Sequence, residues 1–141
     1  MNTTKQLLTE IIRHKIEIDV SDTDRINHAM RIIRNYSQYK RVETPRLRRA
    51  VAVIADYLAL LFPAGSPLPL RLGYWVLPRP DGRGRRLVWD DGQEGFPPVS
   101  LSDDAIPGDP LPRPTRDMLR QFVDDLPFLI EAIAKKEEVV A

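Results

Sequence analysis

A chain of 141 residues with 43% hydrophobic and 29% charged side chains can bury a core, which excludes a disordered polar tail. It has no cysteine, which excludes disulfides, thiol nucleophiles and cysteine-ligated metal and fits a reducing compartment. The net charge of +1 conceals a polarised chain: residues 25–49 hold eight Lys or Arg against one acid, Glu43, and residues 90–141 hold twelve Asp or Glu against five Lys or Arg.

Met1 to Gln6 lacks the basic-then-apolar pattern of a signal peptide, so the expectation is a soluble, cytoplasmic protein. Residues 3–15 predict a first helix, capped by Thr3 or Thr4, with Leu7, Leu8, Ile11 and Ile12 on its apolar face. Ile16 to Val20 alternates, which is either a short strand signal or a frayed helix end. Ser21 followed by Asp24 resembles a capping box and opens a second helix over residues 22–40. Ile26, Ala29, Met30, Ile33 and Tyr36 form its buried face, and Arg31, Arg34, Gln38 and Arg41 line another.

The stretch from Thr44 to Phe62 predicts a central helix. Thr44 suits the cap, Pro45 the first turn, and Pro63 stops it. Leu47, Val51, Ile54, Leu58 and Leu61 share one face, with Ala50, Val53, Tyr57 and Leu60 beside it. Such a helix is buried on most sides. A membrane span needs about 20 apolar residues; the run from Ala50 to Phe62 is shorter and contains Asp56. Asp56 itself reads as a solvent-facing carboxylate near Arg49.

Residues 63–114 hold eleven of the thirteen prolines and all seven glycines, which argues against long helices there. Residues 70–77 and 85–90 read as a hairpin turning at Asp81-Gly82, with Trp75 and Trp89 as same-face neighbours. Residues 91–114 read as a long Pro-rich loop, of the kind that is functional or ordered by a partner. Thr115 begins a last helical segment with Met118, Leu119, Phe122, Val123 and Leu126 as apolar positions, continued by Leu129, Ile130 and Ile133. Pro127 either kinks it or starts a new helix capped by Asp125.

Chemistry-bearing patterns are sparse. His14 and His28 are the only histidines, and Asp24 with His28 has no accompanying nucleophile or third group. Asp90 to Glu94 lacks the ligand spacing of a calcium loop, and Asp81 to Arg86 lacks the phosphate-loop signature. Pro110 to Pro114 reads as a rigid lead-in to the last helix. No cofactor or metal site is implied.

The best candidate is a basic surface. Arg31, Arg34, Tyr39, Lys40, Arg41, Arg46, Arg48 and Arg49 surround the junction of the second and third helices, and Arg83, Arg85 and Arg86 form a second cluster. Its bland counterpart is a solvated face that offsets the acidic C-terminal segment. Trp75 and Trp89 are candidate interface anchors.

The expected fold is a single, mainly α domain of four to five helices around helix 44–62, with an inserted β-hairpin at about 70–90 and a Pro-rich loop. The expected function is a non-enzymatic protein–protein interaction module: an adaptor, an inhibitor or a small subunit, and plausibly a homodimer. The alternative is a nucleic-acid-binding accessory protein that contacts the phosphate backbone through the arginine surface.

Overall fold

The structure, a computed structural model, describes residues 3–69, 73–80, 82–90, 98–102 and 111–140. Among these residues the elements run α1 (Thr4–Lys15), α2 (Val20–Tyr39), α3 (Thr44–Ala59), β1 (Tyr74–Pro78), β2 (Arg85–Trp89), β3 (Val99–Ser100) and α4 (Arg116–Val140). The fold is thus mainly helical, with a small antiparallel sheet between the third and last helices. None of these helices is long and apolar enough to cross a membrane.

Each helix begins where a side chain caps a free N–H group or a proline removes one. Thr3 caps α1, and Gln6 returns the bond in a capping box. The α2 box is Asp19 with Asp22, two residues before the expected Ser21 and Asp24. Asp22 N–H donates to Asp19 Oδ1 at 2.9 Å, and Asp19 N–H donates to Asp22 Oδ2 at 3.0 Å. Residues 16–19 are therefore a connector rather than a strand. Their alternation survives as burial, with Ile16 and Ile18 half-buried against the core. Lys40 ends α2 in the left-handed region (φ 56°), and its N–H donates to the Tyr36 carbonyl at 2.9 Å.

Helix α3 stops at Ala59, three residues before the expected Phe62. Leu60 and Leu61 donate to the carbonyls of Tyr57 and Leu58, so the last turn tightens to three-residue bonds ahead of Pro63. Glu43, not Thr44, occupies the cap position, without a side-chain bond. The Thr44 hydroxyl instead accepts from Arg116 Nη1 at 2.8 Å, which ties the start of α3 to the start of α4.

The hairpin forms over narrower limits than expected, and residues 70–72 and Asp81 lie outside the described residues. Tyr74 pairs with Trp89 and Trp75 with Val88, so the two tryptophans stand on opposite faces. This corrects their expected same-face placement. Tyr74, Val76 and Leu87 join the helical core with Trp89 packed beside them, whereas Trp75 is 39% exposed. Gly73 opens β1 at φ +76°, and a Cβ there would meet the Asp90 carbonyl oxygen at 2.3 Å. Only glycine fits this approach.

A third strand was not foreseen within residues 91–114. Val99 and Ser100 pair with Trp89 and Val88, and the Ser102 hydroxyl accepts from Leu87 N–H at 2.9 Å. Two ladder residues are too few for periodicity to reveal. Residues 91–97 and 103–110, and with them most of the Pro-rich loop and the Asp90–Glu94 turn, lie outside the described residues.

Helix α4 is continuous through Pro127. Thr115, expected as its first residue, stands one position before it and caps it, accepting from Met118 N–H. Asp125 is not a new cap: its Oδ2 accepts from the Tyr74 hydroxyl at 2.7 Å. Leu119, Phe122, Leu126, Leu129, Ile130 and Ile133 are buried, and Tyr74 meets Phe122 edge to face at 5.8 Å.

Candidate partner-binding groove

Asn27, Arg31, Arg34 and Gln38 recur on α2 at spacings of four, three and four, so they form one stripe along the helix. The stripe borders a groove of about 500 Å³. Its other walls are the first turn of α1, from Thr3 to Gln6, and the middle of α4 at Val123, Leu126 and Pro127. Met30 and Ile33, buried in the core, underlie the groove beside the stripe, and exposed Ser37 lines it too. The volume lies within the range of ligand-binding clefts, about 300–1,000 Å³.

Two features of the walls follow from local sequence. Pro127 has no N–H, so the Val123 carbonyl four residues earlier loses its helical donor, and both residues line the groove. The first turn of α1 contains no acid, so the positive end of its dipole is not offset there. The lining carries three cations, Lys5, Arg31 and Arg34, and no carboxylate or imidazole. All three cations are exposed, and none makes an ion pair among the described residues.

Polar contacts fix the elements that form these walls. The Tyr57 hydroxyl of α3 donates to Asp22 at 2.5 Å at the start of α2. That bond, with the Asp19 N–H, holds the Asp22 carboxyl below its ordinary value. Burial first, and then the same bond, pushes the Tyr57 phenol up to about 12. Tyr74 behaves likewise: burial, followed by its bond to Asp125, raises its phenol well above the ordinary value. The Asp22 link joins α2 to α3, and the Asp125 link joins β1 to α4.

The basic residues singled out from sequence separate into three groups. Arg31 and Arg34 meet in the groove. Tyr39, Lys40, Arg41, Arg46 and Arg49 are exposed near the α2–α3 connection and the first turns of α3, and Lys40 Nζ lies over the Tyr36 ring at 4.9 Å. The third group is engaged in holding the chain together. Arg48 is half-buried and donates to the Pro114 carbonyl at 3.2 Å. Arg85 donates to the carbonyls of Phe62 at 2.8 Å and Leu60 at 3.3 Å, groups that the end of α3 leaves without helical donors. Arg86 is 7% exposed. Arg83 is exposed in the hairpin turn.

Of the two tryptophans, Trp75 reaches the surface, while Trp89 faces the core with a buried indole N–H that has no acceptor among the described residues. Asp56 is half-buried rather than solvent-facing, and its partner is not Arg49. It pairs with Arg79 at 2.9 Å, which fastens the hairpin to α3. Asp24 and His28 are exposed on α2. Among the described residues no group of three or more His, Asp or Glu is placed to hold a metal.

Sequence reading missed Lys5, Asn27, Val123, Leu126 and Pro127 as parts of one surface. The stripe on α2 was legible from its spacing. Its meeting with α1 and α4 was not, because those partners lie about 20 and 90 residues away in the chain. Comparison with protein-family models, curated proteins and solved structures finds no match to this chain.

Proposed function

We propose that this protein is a non-enzymatic interaction module, a single domain that docks a segment of a partner protein in the groove between α1, α2 and α4. In this reading α3 is the central helix, which packs against α2, α4 and β2 and holds the walls in place. The observation that supports it is a groove of about 500 Å³ bordered by three exposed cations, Lys5, Arg31 and Arg34, that make no ion pair among the described residues. Charge at the rim supplies orientation and association rate. No lining residue offers a base to activate the groove's hydroxyls, which favours binding over catalysis.

The test is selection of ligands from a random-sequence peptide library on the intact protein, followed by mapping of their contacts. Ligands are expected to map to the groove and to be lost in Ser37→Trp, which puts a bulky ring at an exposed lining position. Ligands that map elsewhere and bind the Trp variant unchanged would refute the reading. Light scattering at rising concentration separates a second copy of this chain from a different partner.

A second reading, a nucleic-acid-binding accessory protein, is favoured by a different observation. Tyr39 is 65% exposed, and Arg41, Arg46 and Arg49 are exposed without ion pairs among the described residues. Stacking on tyrosine and phosphate contact by arginine would act there. Binding of mixed short DNA or RNA that weakens steeply with salt and fails in Arg41→Glu/Arg46→Glu would establish it; binding indifferent to these changes would remove it.

A further inference from the structure

Resting on the reading of the groove as a protein-docking site, we infer that its occupant is an acidic segment of a partner protein, bound in extended form. Charge is the first argument. Lys5 on the α1 wall and Arg31 and Arg34 on the α2 wall are exposed, make no ion pair among the described residues and share the lining with no carboxylate. The capping box of α1 takes up the N–H groups of Thr3 and Gln6, so those of Thr4 and Lys5 are left without helical acceptors on the same wall. Carboxylates compensate both walls, and arginine holds them through paired N–H groups. A neutral segment would cover the cations without compensating them, and a basic one would be repelled.

Geometry sets the form of the segment. The stripe from Asn27 to Gln38 runs along eleven residue steps of α2, about 16 Å at 1.5 Å per residue, which matches about five residues of extended chain at 3.3 Å each. Successive side chains of an extended chain point to opposite sides, so neighbouring acids reach the α1 and α2 walls in turn. Closely spaced acids also repel one another at the i, i+4 spacing of a helix. The amides of Gln6, Asn27 and Gln38 each offer donors and an acceptor, which suits a peptide backbone. A nucleic-acid strand would match the cations, but no aromatic side chain lines the groove to stack its bases.

The test uses fluorescence anisotropy on the intact protein with three labelled ten-residue peptides. One carries six glutamates and two serines, interrupted by two prolines that keep it from forming a helix. The second replaces the glutamates with glutamines, and the third replaces them with lysines. The acidic peptide is expected to bind at least ten-fold more tightly than either of the others and to weaken with salt. Arg31→Glu/Arg34→Glu is expected to lose at least ten-fold for the acidic peptide and to gain affinity for the lysine peptide. Lys5→Glu is expected to lose at least three-fold for the acidic peptide. All three positions are exposed, and circular dichroism checks that each variant is folded; Arg31→Gln/Arg34→Gln is expected to weaken binding without the reversal.

Equal binding of the glutamate and glutamine peptides, or acidic binding unchanged in the charge variants, would overturn the inference; library ligands that still map to the groove would leave the docking reading intact. A version with alanines in place of the prolines that binds ten-fold more tightly would overturn the extended form. Failure of all three peptides, together with library ligands that map outside the groove, would overturn both. A short RNA that displaces the acidic peptide and loses affinity in Arg31→Glu/Arg34→Glu would overturn the inference in favour of a nucleic-acid site.

Discussion

Replacing Tyr74 with phenylalanine isolates one bond. The ring stays packed against Phe122, and only the hydroxyl that donates to Asp125 at 2.7 Å is removed. A hydrogen bond to a charged acceptor contributes roughly 1.5–3 kcal/mol. Asp125 is half-buried, so water partly replaces the lost donor, and we expect a loss of about 1–2 kcal/mol at pH 7. Tyr74→Ala would also lose the ring, at a cost of about 3–5 kcal/mol by analogy with other aromatic truncations.

The pH dependence gives a second signature. The folded phenol is raised above its ordinary value of 10.0, so the folded protein holds that proton more tightly than the unfolded chain. Stability from this group is therefore complete below pH 10 and declines as pH rises beyond it. Tyr74→Phe should show a smaller alkaline loss than the parent. Urea unfolding at pH 7 and pH 11 measures both effects, with tryptophan fluorescence from the sheet as one probe. An unfolding free energy within about 0.3 kcal/mol of the parent at pH 7, where additivity and extrapolation errors dominate, would refute the reasoning, as would an unchanged alkaline loss.

Four other substitutions test different parts of the structure. In Tyr57→Phe, the Asp22 carboxyl is expected to titrate closer to its ordinary 3.8 by carbon-detected NMR. Its lowered value means that stability from this group is present above pH 3.8 and is lost as pH falls through the folded value, so the variant should lose less stability than the parent as pH falls below 3.8. Gly73→Ala is expected to cost at least about 2 kcal/mol by chemical denaturation, from left-handed strain plus the clash with the Asp90 carbonyl. Gly82→Ala, at φ +74° in open space, should cost only about 1 kcal/mol. Equal losses at the two glycines would show that the close approach to Asp90 is not limiting. Pro127→Ala restores a donor to the Val123 carbonyl and should stabilise the fold by about 1–3 kcal/mol while weakening peptide binding. A decrease in melting temperature would show that the carbonyl already has a donor.

Local chemistry, read from the sequence alone, determined much of the secondary structure. Apolar spacing placed all four helices, because a 3.6-residue period repeats several times in each. Thr3, Thr115 and Pro45 marked starts, and the proline and glycine density of residues 63–114 kept long helices out of the insertion. What failed locally failed where two signals competed within a few residues. Asp19 took the cap expected of Ser21, and bonds to three-residue neighbours ended α3 before its stopping proline.

Tertiary structure decided the roles of the charged and aromatic side chains. The sequence offered arginines in two basic clusters, yet Arg48 of the first and Arg85 of the second reach backbone carbonyls that only folding brings near, and Arg86 is enclosed. Strand register, fixed by which face must be buried, set the two tryptophans on opposite sides. The groove required α1, α2 and α4 to meet, a contact between distant segments that no local period encodes. Helix periodicity shows which face of α2 is polar; only packing shows what lies across from it.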